Sequence, residues 1–376
     1  MQWLGISTHL QLHHFKDTGR GLRTQSRLTQ GDLLISIPIH KMITRHSLQQ
    51  NSNNSIQFDE KIPRKYPEHW STQLMLSCFL MQELSKKPTS QWQIYLETLP
   101  RTYDVPYFDC PPQVLFHLPR HLKALIQAQF QLIDTRFSEL VKFSKFSTKA
   151  KKLFSWAWFT ANTRGVYFED NHDNLALAPF LDMFNHHSEV EIEAIQNDGF
   201  YHLKALSHDT SKYQQVFINY GPHDNVKLYV EYGFVVPGNV HDCVSLTLED
   251  LVDFLNLHKK SDLLLEKKIH FIQKYHLDEK LHLVKTAELA SWSLLASFFI
   301  LDDKNEDFER VFEQDLMLKS FKSQLRSISD NLSRIFEEIG GKLKLLDGGT
   351  VLSQLIDIQL EIVLYVQQNL DTLAGE

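Results

Sequence analysis

Between Val190 and Ala205 the chain carries the pattern of a two-stranded ribbon. Val190, Ile192 and Ala194 alternate with Glu191 and Glu193, Tyr201, Leu203 and Ala205 resume the alternation, and Asn197-Asp198-Gly199 stands between them. Period-two alternation turns one face of a strand toward a core, and an Asp-Gly turn closes an antiparallel hairpin. A chain with this hairpin at its centre is not a plain helical bundle. More β pattern lies on either side: "LLISIPIH" from Leu33, whose late proline suits an edge strand, and "QQVFINYG", which runs into Tyr220. Helical spacing intervenes from Trp70 to Leu84 and again from about Pro119 to Arg164. "DNVKLYVEYG" reads as a short helix with Asp224 near its start and Gly233 past its end. Beyond Asp250 almost everything is helical, and "VLSQLIDIQLEIVLYVQQNL" carries Asp357 and Glu361 within its apolar rows, as an amphipathic helix packed on neighbours does. The expected class is therefore α+β: a β-rich region with a helical insert, then an all-helical region. "QQNSNNS", Gln49 to Ser55, is a polar surface loop by composition.

Composition narrows the function classes. A chain of 376 residues with 43% hydrophobic side chains can bury at least one large core. Cys78, Cys110 and Cys243 lie far apart with no CxxC pair, which argues against a disulfide framework or a cysteine-bound zinc and fits a reducing, intracellular compartment. The opening "MQWLGISTHLQLHHFKD" has no secretory pattern, and windows such as "WSLLASFFIL" fall short of the roughly 20 apolar residues that span a bilayer. A soluble protein without a membrane partner is expected. A net charge of −7 with no Lys/Arg block gives no footprint for direct nucleic-acid binding. Any contact with chromatin would run through protein.

Chemistry concentrates in four segments. In "DTGRGL", Gly19 and Gly21 permit a tight turn and close backbone approach to a ligand, although an ordinary turn before a strand reads the same way. "WAWFTANTRGV" is a helix ending in Arg164; its aromatic face reads as core, and Arg164 alone as a surface or capping residue. "LAPFLDMFNHH" takes Asp182, Asn185, His186 and His187 behind an apolar run, where buried polar groups need partners. "FINYGPHDNVKLYVEYGF" sets Tyr220 and Tyr232 each before a glycine, with Phe234 close behind.

Order and spacing join the four. "GRG", an aromatic helix ending in Arg, "DxxNH" and then "YG" resemble the SET-domain methyltransferases. More narrowly they resemble the branch of the plant Rubisco large-subunit lysine methyltransferase and, through "WQIYLETLP", "WAWFTANTR", "LAPFLDMFNH" and "YGPHDNVKLYVEYGFV", the SET domain-containing protein 4 group within it. The motifs cover about Gly19 to Pro237. The resemblance implies a SET domain with pseudo-knot threading over 1–237, a helical insert at about 111–165, and a helical substrate-binding domain over 238–376. It implies S-adenosylmethionine as cofactor, held by Asn185 and His186, by the backbone of Gly19, Arg20 and Gly21, by Arg164 against the carboxylate, and by Tyr220 and Phe234. Tyr220 would stand beside the transferring methyl and Tyr232 would line the substrate channel. Asp182 would brace the threading, His187 would point elsewhere, and no metal is required.

The activity so implied is protein-lysine N-methylation, on histone tails or non-histone proteins, by a monomer in the cytoplasm or nucleus. A sulfonium methyl is already electrophilic, so the protein must align a neutral amine and exclude water. A protein-histidine methyltransferase is an alternative, but relatives of that kind carry an Asn two residues after the motif Arg and a Trp before the Asp, where this chain has Val166 and Leu181. A catalytically inactive SET-fold interaction module is a second alternative. A hydrolase built on His186, Asp182 and Ser188 lacks a GxSxG elbow. A metal site from His186, His187, Glu189 and Glu191 is opposed by strand geometry, since neighbours face opposite ways.

Overall fold

In the computed structural model, residues 5–50, 66–86, 88–144, 146–168, 173–206, 209–257, 263–302, 307–346 and 350–372 are described. The strands are β1 (Leu10–Phe15), β2 (Gly19–Thr24), β3 (Leu33–Pro38), β4 (Gly165–Tyr167), β5 (Leu175–Leu177), β6 (Asn185–His186), β7 (Ile192–Asn197), β8 (Phe200–Ala205), β9 (Gln215–Ile218), β10 (Cys243–Ser245) and β11 (His282–Val284). The helices are α1 (Arg45–Gln50), α2 (Thr72–Ser85), α3 (Gln93–Thr98), α4 (Pro106–Asp109), α5 (Pro112–Leu115), α6 (Arg120–Phe143), α7 (Lys151–Arg164), α8 (Asn225–Lys227), α9 (Leu248–Phe254), α10 (Leu263–Lys274), α11 (Trp292–Leu301), α12 (Lys322–Leu345) and α13 (Thr350–Thr372). The chain forms two compact units, residues 1–103 with 130–223, and 104–129 with 224–376. The expected insert is thus shared: residues up to 129 group with the second unit and those from 130 with the first.

The first unit holds the larger β-sheets. β7 and β8 pair with Asn197 opposite Phe200, and Asp198 (φ 48°) and Gly199 (φ 78°) between them are both left-handed, the signature of a type I′ turn. Tyr201, Leu203 and Ala205 are buried as the alternation predicts. Ala194 is exposed instead, because β7 is the outer strand of the sheet β3-β8-β7. β3 takes the opposite edge and ends at Pro38, where a missing N–H costs no ladder bond. A second sheet, ordered β1-β2-β9-β6, has an antiparallel β2–β9 pair and a parallel β6–β9 pair. Leu22, Ile35, Ile37, Phe184 and Leu203 belong to the common core of these strands. α2 packs on α7, which buries Phe154 and, within the aromatic segment, Trp158 and Phe159. Of the polar tract Gln49–Ser55, Gln49 and Gln50 close α1 and the rest lies outside the described residues.

In the second unit α12 packs on α13. α12 buries Leu325, Ile328, Leu332, Phe336, Ile339 and Leu343, a three-four spacing that keeps one stripe inward. Asp357 and Glu361 of α13 lie on its exposed side. Among its described residues the unit is helical save for one antiparallel ribbon, Cys243–Ser245 with His282–Val284. Three-residue strands are too short to show a period, and tertiary cover makes this one: α13 reaches it through Gln359 Nε2, which donates to the Cys243 carbonyl at 2.9 Å.

Candidate active site

The site is built on β9. On one side β2 brings the "GRG" turn alongside, with Leu22 opposite Val216; on the other β6 runs parallel, with Asn185 opposite Phe217 and His186 opposite Ile218. The two motifs are thereby one strand apart. The Asn185 amide reaches across and donates to the Arg20 carbonyl at 3.0 Å and the Thr18 carbonyl at 3.4 Å. Thr18 Oγ1 donates to Gln215 Oε1 at 2.8 Å, pinning the same hairpin end to β9. Gly19, at φ 69°, turns the hairpin. A Cβ at Gly21 would stand 2.6 Å from Gln215 Nε2 and 2.8 Å from Asn185 Nδ2, so these two side chains would have to shift.

Just past β9, Tyr220 closes over the same strands. Its amide donates to His186 Nδ1 at 3.0 Å, its hydroxyl donates to the Phe184 carbonyl at 2.6 Å, and its ring lies 5.2 Å from the His186 ring. His187 turns toward Phe217, with 5.5 Å between the rings. The parallel β6–β9 pair that puts Tyr220 beside Asn185-His186 is the juxtaposition the expected threading requires.

Asp182 enters from a single 3₁₀ turn, Leu181–Met183, that follows Phe180 in a left-handed conformation at φ 78°. That conformation costs a residue with a Cβ about 1–3 kcal/mol and persists only where its surroundings impose it. Asp182 is buried; Tyr95 donates its hydroxyl to Oδ2 at 3.2 Å, and Arg164 donates Nη1 to the main-chain carbonyl at 2.5 Å. Arg164 is therefore half-buried inside the site, not the surface or capping residue it resembles in isolation. Helix α7 delivers it there because it stands at the last turn, immediately before β4.

Burial governs the electrostatics. Loss of water pushes the Asp182 carboxyl up to about 6, against the pull of Arg164 and the Tyr95 hydroxyl. Burial opposes the Arg164 charge, but the Asp182 carboxylate beside it and Tyr103, Tyr220 and Tyr95 around it hold the guanidinium above its ordinary value. Burial likewise pushes Tyr220 up to about 12, with Arg164 drawing it down. Tyr220 is thus a neutral hydroxyl at physiological pH. Arg20 also contributes to the field at Asp182, so all four motif segments of this unit converge on one place.

Tyr232 and Phe234 belong to the second unit. The turn of π-helix Leu228–Tyr232 ends at Gly233 (φ 81°), whose amide donates back to Leu228 and Tyr229, and the two rings meet at 6.2 Å. Asn225, fully buried at the start of α8, ties the following chain down: its side chain accepts from the Val236 amide at 2.6 Å and donates to the Val236 carbonyl at 2.9 Å and to Asp242 Oδ2 at 2.7 Å. Asp224 caps α8 by accepting from the Lys227 amide.

Sequence reasoning overlooked Tyr95, Gln215 and the Phe184 carbonyl. Tyr95 sits in "WQIYLETLP", 87 residues before its partner, and nothing about the residue itself distinguishes it from a packing tyrosine. A hydrolytic triad is not assembled, since His186 Nδ1, the nitrogen a triad carboxylate would hold, accepts the Tyr220 amide. Among the described residues no cluster of three His, Cys, Asp or Glu side chains could hold a metal ion, and no helix is long and apolar enough to cross a membrane.

No family model matches the chain. It is similar to SET domain-containing protein 4 of Mus musculus, with 35% identity over 279 residues that make up 66% of this chain and 61% of that protein. It is similar to SET domain-containing protein 4 of Artemia parthenogenetica, with 32% identity over 289 residues, 72% of this chain and 70% of that one. The chain thus spans about 61% of the mouse relative's length. Among solved structures, the SET domain of LSMT bound to lysine and AdoHcy superposes with a TM-score of 0.66 at 15% identity, covering 99% of this chain and 89% of that one, which establishes the fold.

Proposed function

The chain belongs to the SET domain-containing protein 4 family, and from that premise we propose that it is an S-adenosylmethionine-dependent protein-lysine N-methyltransferase. The observation that carries the reading is the Asn185 amide bonded to the Arg20 carbonyl with Tyr220 locked on the adjacent His186. The residues present fit the cofactor. Gly21 leaves the backbone bare where a side chain would collide with Asn185, and the buried Gln215 Nε2 beside it lacks a protein partner. Arg164 suits a carboxylate, Asn185 and the Gly19–Gly21 backbone suit an amino acid head, and the His186 segment suits a flat heterocycle. When bound, S-adenosylmethionine supplies an electrophilic methyl.

The chain's own residues then bind, orient and exclude water. Tyr220, whose proton is engaged by Phe184, presents its oxygen as an acceptor and stays neutral, so it orients an incoming amine without acting as a base. Tyr232 and Phe234 we assign to the substrate channel and the cofactor rim. The family's domain boundary we place after Pro237, with 1–237 as the SET domain and 238–376 choosing the partner.

Lysine is favoured over histidine by two residues. Val166 on β4 and the buried Leu181 offer no hydrogen bond to an imidazole. The solved relative with lysine bound supports the same choice. Histone tails and non-histone proteins of the nucleus or cytoplasm are the candidate substrates.

Thermal unfolding with and without S-adenosylmethionine tests the reading. Ligand at a hundredfold excess over Kd adds about 2.7 kcal/mol to the folded state. The expected result is a rise in Tm that Asn185→Ala abolishes, followed by methyl transfer to lysine peptides that fails with their histidine and arginine counterparts and drops at least about a hundredfold in Tyr220→Phe. No thermal shift at saturating cofactor would refute it, and binding without transfer would leave the inactive module.

A further inference from the structure

Tyr95 reaches the site through Asp182, and the site's acid depends on it. Tyr95 stands on α3, is buried at 2% exposure, and meets Asp182 Oδ2 at 3.2 Å. Asp182 in turn offers its main-chain carbonyl to Arg164 at 2.5 Å. The peptide between is held in a costly form, because Phe180 ahead of it is left-handed without being glycine. Something must hold that turn where its carbonyl meets the guanidinium. The Phe180 amide holds the carboxyl from within the turn and Tyr95 holds it from another element; the further groups facing Asp182 are Arg164 on α7, Arg20 on β2, Tyr103 beyond α3 and Tyr220 beyond β9. Of these, Tyr95 is the hydroxyl bonded to the carboxylate, whereas the buried Tyr103 gives its proton to Thr160 Oγ1 at 2.8 Å.

We propose that Tyr95 is a positioning residue: through the Asp182 carboxylate it sets the 3₁₀ turn whose carbonyl fixes the Arg164 guanidinium for the cofactor's carboxylate. The proposal rests on the methyltransferase reading and adds to it a group from the helical segment. Removing the Tyr95 oxygen releases Asp182 from its anchor, and the turn relaxes toward an unstrained Phe180. Arg164 then keeps its charge but loses its place, so the cost falls on cofactor binding through Arg164 and nowhere else.

A double-mutant cycle on the dissociation constant of S-adenosylhomocysteine, measured by calorimetry on the full chain, tests this. Tyr95→Phe is expected to weaken binding about tenfold, a loss that vanishes when Arg164→Lys is already present; independent residues add. Asp182→Asn, which keeps the side-chain shape, serves as the second variant and should show the same dependence on Arg164. Tyr66→Phe, which removes a buried hydroxyl bonded to Gln82 Oε1 at 3.3 Å, should leave the constant unchanged. Additive effects of Tyr95 and Arg164, or an unchanged constant in Tyr95→Phe, would overturn the proposal. Absence of binding by the unmutated chain would instead sink the methyltransferase reading itself, and the proposal with it.

Discussion

The Tyr220 amide donates to Nδ1 of His186 at 3.0 Å, across 34 residues of chain. The bond uses a backbone donor that lies past the end of β9 and so has no ladder partner, and it dictates which imidazole nitrogen carries the proton. His186 accepts at Nδ1, so its neutral form has the proton on Nε2.

Replacing that acceptor should therefore unseat Tyr220. His186→Leu leaves a buried N–H without its partner at a cost of about 1–3 kcal/mol. Urea unfolding should show a lower midpoint at unchanged slope. A midpoint equal to that of the unmutated chain would mean the bond holds nothing.

Gly21→Ala should act on the cofactor rather than on the strand. Its Cβ would press Asn185 Nδ2, at 2.8 Å, and Gln215 Nε2, at 2.6 Å, off their places. Crowding of this kind costs about 1–3 kcal/mol, and a loss of about tenfold in S-adenosylhomocysteine affinity is expected, read by calorimetry. Unaltered affinity would show that the Asn185 contact to Arg20 is free to move.

Stability should depend on Asp182 in a defined pH window. Its carboxyl is raised from 3.8 to about 6 on folding, so the folded chain binds more protons than the unfolded one between those values. Stability then falls as pH rises from about 4 to about 6, by on the order of 3 kcal/mol, and the loss persists above. Asp182→Asn, with no carboxyl to titrate, lacks this dependence. The expected outcome is that the unmutated chain gains on Asp182→Asn as pH is lowered from 6 to 4 in urea titrations; parallel curves would contradict it.

In the second unit, Asn225→Leu should be severe. The variant strips both Val236 contacts and a partner of the half-buried Asp242, for about 3 kcal/mol or more. Circular dichroism melts should register a lower Tm. A loss below about 1 kcal/mol would show that the turn after Phe234 is held by packing alone.

The residues alone made legible the features that chemistry writes locally. The Asn197-Asp198-Gly199 turn, the proline-ended edge strand at Pro38, the Asp224 cap and the Gly233 stop each follow from residues within one turn of one another, and the structure has all of them. The motif residues Gly21, Arg164, Asn185, His186 and Tyr220 were legible as types in an order. Their convergence was not, because a parallel pairing such as β6 with β9 joins segments about thirty residues apart and leaves no period to read. Tertiary structure alone decided that Arg164 faces inward, that Ala194 faces out on an edge strand, that three residues at Cys243 form a ribbon under α13, and that Tyr95 anchors Asp182. Each of these turns on which distant group excludes water from a side chain, and burial of that kind is a property of the packed chain rather than of any stretch of it.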